Sequence, residues 1–372
     1  RSPVQDDEGR QHHVRQGHVR QRNDQQGGTP TTSQLRVAEA LDVACRTQGF
    51  FRVTGHGIDP ALFADLDRLA RRFFAQSDQT KAEIAMAMAG PAWRGWFPVG
   101  AELTSGRPDH KEGIYFGTEL PNDDPRVRAG TPLHGPNLFP DEPAGLGTAV
   151  LAYLDAATRV GHAIMSGLAI ALGLPRGWFA DDLTADPTVL FRIFHYPPEV
   201  EAPEDAPHHT TSRAPTWGVA EHTDYGLLTL LAQDDRGGLE VRVDGRWLPV
   251  PAEPDVLVCN LGDMLEALTA GRYRSTPHRV RNTSGAGRLS FPLFFDPGWD
   301  ARVRPLPLDS LTARSDPSDP PRPTVRSDSD STPSMQQRWD RTDPAAWTGT
   351  YGEYLTAKVS RVFPELFASL EG

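Results

Sequence analysis

Glu221-His222-Thr223-Asp224-Tyr225-Gly226-Leu227-Leu228-Thr229-Leu230-Leu231 is the stretch on which the reading of this chain turns. It sets an imidazole and a carboxylate two positions apart, then runs into a largely apolar segment. Side chains of a strand alternate faces, so positions i and i+2 share one. His222 and Asp224 can therefore enter the same interior. Similar short segments surround them: Val189–Tyr196, Gly226–Ala232, Leu239–Val243, Asp255–Cys259 and Arg288–Phe295, period-two or apolar and separated by Gly, Pro and Asp turns. Many short strands of this kind predict a double-stranded β-helix, or jelly roll, over a parallel sheet. No GxGxxG or phosphate-binding loop interrupts the region.

Upstream the pattern is helical. Val37, Ala40, Leu41, Ala44 and Cys45 repeat at helical spacing, with Ser33 able to cap the start and Gly49 ending the run. Phe50–Val53 reads as a short strand, and Leu62, Leu66, Leu69 and Phe73 mark a second amphipathic helix. A third helix is expected over about 148–174, with Leu151, Leu154, Ile164, Leu168 and Leu172 turned to the core. A last helix starts at Tyr351 and runs to about Leu366. The fold class expected is α+β, a jelly-roll core flanked by helices. The divisions are a disordered tail (1–34), a helical region packing on the barrel (35–180), the core (181–312), a low-complexity loop (313–336) and a covering C-terminal helix (337–372). The tail is rich in Gln and Arg. Residues 315–334 hold six Ser, five Pro and four Asp against one apolar residue, Val325, and so bury too little to offset ordering entropy.

Downstream of His222 and Asp224, His278 offers a second imidazole and Arg288-x-Ser290 pairs a guanidinium with a hydroxyl. Two imidazoles and one carboxylate on one face of a metal suit non-haem Fe(II), with positions left open for O2 and a co-substrate. In Arg288–Phe295 the even positions Arg288, Ser290, Pro292 and Phe294 share a face, expected to line the cavity. Leu289, Phe291, Leu293 and Phe295 share the other, expected to lie under helices. A planar guanidinium grips a carboxylate by two parallel hydrogen bonds, and burying it without a partner is expensive. A bound anion is thus the economical explanation, with a salt bridge to a nearby carboxylate as the plain alternative. His110-Lys111-Glu112 is another His-x-acid but lacks a second His and an anion site. His208-His209 and the His12, His13 and His18 cluster read as solvated. His162 and His195 read as packing residues or as supports behind the site, and Asn260 and Asp263 as a turn.

Composition limits the partners. The 372 residues carry a net charge of -11, which argues against nucleic acid or an anionic membrane. Two distant cysteines, Cys45 and Cys259, give no disulfide framework, so a reducing cytoplasm is the expected setting. No apolar run of membrane-spanning length occurs, and the start lacks the apolar core of a secretion signal. A monomer acting on a small molecule is expected.

The stretch Glu221–Leu231, Arg274-Ser275-Thr276-Pro277-His278-Arg279-Val280 and Arg288-Leu289-Ser290-Phe291-Pro292 together resemble the isopenicillin N synthase-like family of Fe(II)/2-oxoglutarate oxygenases. Gly49-Phe50-Phe51, His56-Gly57-Ile58 and His195-Tyr196-Pro197-Pro198 extend the match. Lys111–Gly117 and Gly349–Leu355 resemble its bacterial branch. The resemblance covers about residues 35–312 and 337–368. It implies His222, Asp224 and His278 as iron ligands, Arg288 and Ser290 on the distal carboxylate of 2-oxoglutarate, and the Tyr196 hydroxyl on the same co-substrate. It also implies O2 as oxidant, succinate and CO2 as products, and hydroxylation, desaturation or ring closure at a substrate C–H. Two positions depart from the pattern: Phe194 stands where many plant members have Asn, and no Pro-Val-Ile-Asp strand precedes Leu35.

Three other readings stay open on the residues alone. An oxidase can use Arg-x-Ser for a substrate carboxylate and dispense with 2-oxoglutarate. A jelly-roll binding protein would hold a ligand without turnover, and a zinc hydrolase would leave Arg288 and Ser290 unexplained. Specificity is expected in the segment 93–115, where Trp93, Arg94, Trp96, Arg107 and Lys111 mix aromatic and cationic groups, and in the C-terminal helix.

Overall fold

Apolar runs in this chain become the central strands of a large sheet, and mixed runs become a smaller sheet facing it across a chamber. The computed structural model describes residues 28–104, 106–198, 217–308 and 344–363. Among these residues the strands are β1 (Phe50–Val53), β2 (Gly95–Phe97), β3 (Leu103–Thr104), β4 (Arg107–Pro108), β5 (Glu112–Gly117), β6 (Thr188–Tyr196) and β7 (Val219–His222). They continue as β8 (Leu228–Gln233), β9 (Leu239–Val243), β10 (Arg246–Pro249), β11 (Leu257–Leu261), β12 (His278–Val280) and β13 (Arg288–Asp296). Seven form one antiparallel sheet in the order β1-β11-β8-β13-β6-β5-β2, and four form the other in the order β10-β9-β12-β7. Residues of both line one chamber. This is the expected jelly roll with flanking helices. The N-terminal stretch gives more than helices, since β1, β2 and β5 extend the large sheet at its two edges.

Local chemistry sets the helix ends. The first helix, Thr32–Thr47, starts two residues earlier than a Ser33 cap would give. Thr31 takes the cap because its hydroxyl accepts from the Gln34 N–H while the Gln34 side chain accepts from the Thr31 N–H. Gly49, at φ +64°, leaves the helix in the left-handed conformation that glycine adopts without strain, and delivers Phe50 into β1. The helix Pro60–Phe74 is capped by Asp59 with proline at its first position.

The long helix Leu146–Ala171 lies across the outer face of β13. Leu289, Phe291, Leu293 and Phe295 are fully buried there, as alternation predicts. Phe291 packs edge-on against Phe63 of the second helix at 5.1 Å, and Phe295 against His162 at 4.8 Å. Gly161 permits that approach, because a Cβ on it would stand 2.6 Å from the Phe295 ring. Leu154, Ile164, Leu168 and Leu172 face inward as expected, but Leu151 is 37% exposed. The helical period puts that one position on the solvent face, in line with the exposed Asp155 and Arg159. On the other side, the helix Tyr351–Val359 opens with a Thr350–Glu353 capping box and ties to β13 through the Tyr351 hydroxyl, 2.6 Å from Asp296 Oδ2.

Cys45 and Cys259 are buried free thiols. No helix among the described residues is long and apolar enough to cross a membrane.

Phe295→Ala is expected to destabilise the protein by about 3–5 kcal/mol through cavity formation, whereas Leu151→Ala, on the exposed side of the same helix, stays within about 0.5 kcal/mol. Urea denaturation of both variants checks the assignment of the two faces.

Candidate metal centre and anion pocket

The chamber between the sheets brings together all six residues expected at the site: His222, Asp224, His278, Arg288, Ser290 and Tyr196. His222 ends β7 and His278 opens β12, and the register places them directly opposite each other. Their ring centroids are 4.2 Å apart. Asp224 lies two residues past the end of β7, and one ligand atom from each of the three falls within 4.8 Å of the others.

Proton positions follow from the partners. His222 Nδ1 is 2.8 Å from the Ala220 carbonyl and His278 Nδ1 is 3.2 Å from the Thr276 carbonyl. A carbonyl only accepts, so each Nδ1 carries the proton and each Nε2 presents a lone pair. Both Nε2 atoms point at Asp224 Oδ1, at 3.7 Å each. Burial lowers the pKa of both imidazoles, His278 to about 4 with further help from His222, so both are neutral near pH 7. Burial acts to raise the Asp224 pKa. The two imidazoles and the donors Asn260 and Thr229 outweigh it and hold the carboxyl below its usual range. Two lone pairs and a carboxylate oxygen thus converge with no hydrogen among them. A cation satisfies that donor set, and the residue types fit a 2-His-1-carboxylate Fe(II) site.

The sequence reading missed what aims Asp224. Its Oδ2 accepts from Thr229 Oγ1 at 2.5 Å and from Asn260 Nδ2 at 2.6 Å, which leaves Oδ1 for the imidazoles. Asn260 was expected in a turn but sits in β11, facing the chamber. Thr229 carried a usable signal, as the lone hydroxyl in the apolar run that follows Asp224. Asn260 carried none, because its contact depends on how β11 pairs with β8.

Arg288 is fully buried and pairs in register with Tyr196, whose ring lies 4.7 Å from the guanidinium carbon. Its Nε donates to the Gly237 carbonyl at 2.5 Å and its Nη2 to Gln233 Oε1 at 3.2 Å. Nη1 has no partner. No carboxylate of the described residues lies within ion-pair reach of Arg288, so the plain salt-bridge alternative falls away. The hydroxyls of Ser290 and Tyr196 are 3.3 Å apart beside it. A buried guanidinium with an unused N–H next to two hydroxyls is an anion pocket.

The competing groups resolve differently. Glu112 is consumed by Lys81 at 2.7 Å, the Trp96 indole N–H at 2.9 Å and His195 Nδ1 at 2.8 Å, so His110 and Glu112 form no ligand pair. His195 stacks on Phe74, and His162 packs on Phe295, as expected. His208-His209 and the N-terminal histidines lie outside the described residues. Within the segment 93–115, Glu102, Leu103, Thr104, Lys111 and Tyr115 line the chamber, whereas Trp93, Arg94, Trp96 and Arg107 do not. Arg94 is drawn outward by the Leu133 carbonyl at 2.7 Å, and Trp96 by Glu112. Leu355 and Val359 bring the last helix to the chamber, as expected.

Known proteins resemble this chain in sequence and in fold. Residues 187–297 match the 2OG-Fe(II) oxygenase superfamily, and residues 24–142 match the non-haem dioxygenase in morphine synthesis N-terminal family. The chain is 42% identical to the probable iron/ascorbate oxidoreductase of Dictyostelium discoideum, over 89% of this chain and 90% of that one. A 2OG-Fe(II) oxygenase family protein of Caulobacter crescentus has the same fold at a TM-score of 0.66 and 28% identity, covering 88% of this chain and 95% of its own. A Neurospora crassa protein solved in complex with alpha-KG and thymine superposes at a TM-score of 0.63 with 25% identity, over 75% of this chain and 85% of its own. The chain belongs to the 2OG-Fe(II) oxygenase superfamily and is an oxidoreductase of the Fe(II)- and 2-oxoglutarate-dependent dioxygenase type, which oxidises a C–H bond of a small molecule with O2.

Proposed function

We propose that His222, Asp224 and His278 hold the ferrous ion through one atom each, and that Arg288, Ser290 and Tyr196 hold the distal carboxylate of 2-oxoglutarate. The observation that carries this reading is the unused Nη1 of a fully buried Arg288, in a chamber shared with three converging acceptors. An anion at one end and a cation at the other complete both sets. When bound, ferrous iron couples the reduction of O2 to conversion of 2-oxoglutarate into succinate and CO2 and to oxidation of a substrate C–H bond.

The chain's own residues bind, orient and exclude water. The Ala220 and Thr276 carbonyls fix both imidazole tautomers, and Thr229 with Asn260 fixes which carboxylate oxygen faces them. Gly237 and Gln233 pin the guanidinium so that its free N–H faces the anion. The last helix lines one side with the apolar Leu355 and Val359, and the exclusion of water there strengthens the charge interactions inside the chamber.

We place the chain in the isopenicillin N synthase-like group, beside its bacterial members. Support for the group is the spacing of His222, Asp224, His278, Arg288 and Ser290, and support for the branch is Lys111–Gly117 and Gly349–Leu355. The relative at 42% identity is eukaryotic, so the bacterial placement rests on those two segments. We take residues 35–180, 181–312 and 337–372 as packing region, core and cover, with 1–34 and 313–336 as the unstructured parts. We take the chain as a cytoplasmic monomer, and the net charge of -11 supports the absence of a nucleic-acid or anionic-membrane partner.

Anaerobic calorimetry tests the metal assignment. Asp224→Ala is expected to weaken Fe(II) binding by more than about 100-fold, and Asn260→Ala, which frees Asp224 to turn, by about 10–100-fold. Undiminished Fe(II) affinity in both variants would remove Asp224 from the site.

Arg288→Gln is expected to weaken 2-oxoglutarate by about 30-fold or more while leaving Fe(II) affinity within about twofold, since it deletes a charge-assisted pair. Substrate oxidation that continues without added 2-oxoglutarate, or 2-oxoglutarate binding untouched by the substitution, would overturn the assignment of the anion pocket.

A further inference from the structure

Three buried cations line the chamber, and they are not equivalent. Lys111 is held between Asp109, at 2.5 Å, and Glu102, at 3.0 Å, so its charge is answered twice. Arg288 belongs to the anion pocket. Arg192 is 5% exposed, and no carboxylate of the described residues reaches it within ion-pair distance. Its hydrogen bonds to the backbone are two long contacts from Nη1, 3.4 Å each, to the carbonyls of Phe116 and Phe191, and the Tyr115 hydroxyl also interacts with it. Its guanidinium carbon sits 3.4 Å over the Tyr115 ring.

The acids that act on Arg192 through space are engaged elsewhere. Glu102 accepts from the Tyr115 hydroxyl at 2.7 Å and pairs with Lys111. Asp296 accepts from the Tyr351 hydroxyl at 2.6 Å and the Leu227 N–H at 3.0 Å. A buried cation left without a counter-charge is costly unless a ligand brings one. A guanidinium stacked on a ring keeps its in-plane N–H edge available, the edge that meets a planar carboxylate.

We infer that Arg192 anchors a carboxylate of the primary substrate, which is an acid with an apolar body. The inference rests on the reading of Arg288 as the 2-oxoglutarate anchor. The register keeps the two anions apart. Arg288 stands opposite Tyr196, and Arg192 lies four residues further along β6, about 13 Å away along the strand. Arg192 is instead on the metal side. Leu190 is level with Phe294, which is level with Thr229, the residue that holds Asp224. Arg192 is two residues from Leu190, about 7 Å. An acid fixed there lays its carbon chain beside the triad, against Leu190, Phe294, Leu355 and Val359.

The test uses the full chain loaded with Fe(II) and kept anaerobic, so that binding is read without turnover. Phenylalkanoic acids from phenylacetate to 6-phenylhexanoate are titrated calorimetrically, each against its primary amide, with and without saturating 2-oxoglutarate. At least one acid is expected to outbind its amide by about tenfold or more, the gain of a bidentate charged pair over a neutral one, with no competition from 2-oxoglutarate. Arg192→Gln is expected to bring the acid-to-amide ratio to within about twofold of one while 2-oxoglutarate still binds. Arg288→Gln is expected to do the reverse. The inference is overturned if no acid outbinds its amide, if 2-oxoglutarate displaces the acid, or if Arg192→Gln keeps the preference. Should Arg192→Gln fail to fold, the wild-type ratio and the competition decide alone. Failure of 2-oxoglutarate to bind the wild type overturns the reading of Arg288 instead, and the acid-to-amide ratio still judges Arg192.

Discussion

One carboxylate joins the two sheets at the point where the chemistry happens. Asp224 gives Oδ2 to Thr229 on β8 and Asn260 on β11, both in the seven-stranded sheet, and turns Oδ1 toward His222 on β7 and His278 on β12 in the four-stranded one. A buried carboxylate survives only if its lone pairs are matched. The larger sheet matches one oxygen and so fixes where the other points. The spacing between the sheets and the convergence of the three acceptors are therefore set together. A shift of either sheet would leave Asp224 partly unsatisfied as well as misaimed.

The remaining architecture serves to keep that junction dry and tightly packed. Gly226, next to the triad loop, has no room for a side chain, since a Cβ there would overlap the Asp296 carboxylate. Asp296 in turn holds the Leu227 N–H and the Tyr351 hydroxyl, which links the loop after Asp224 to the last helix. Burial raises the pKa of Asp296 to about 7, against the opposing pull of those two donors. The outer face of β13 meets the long helix with uniformly apolar residues, while its inner face carries Arg288 and Ser290. One strand thus divides the core from the site by alternation alone.

Charge placement in the chamber is selective. Among the described residues, Lys111 is neutralised by two acids while both arginines on the large sheet are left without one. The two sit at different levels of neighbouring strands, which gives the chamber two separated places for anions. Pairing within the protein and readiness for a ligand are distinguished here by partner geometry, since all three cations are buried.

Much of this was legible in the residues themselves. Period-two alternation in Arg288–Phe295 assigned both faces of β13, and the i, i+2 relation of His222 and Asp224 placed them in one interior, because side-chain direction in a strand depends only on position along it. The amphipathic helices were legible for the same reason, though the apolar character of Leu151 hid its place on the solvent face. What sequence could not decide is every relation between strands distant in the chain: His278 opposite His222, Asn260 reaching Asp224, Arg192 set beyond the reach of Glu102 while Lys111 lies within it. Those depend on sheet order and register, which come from the packing of whole faces against one another. The sequence by itself determined which groups are present and which way each strand turns them; the tertiary structure decided which of them meet, and so which charges stay free for a ligand.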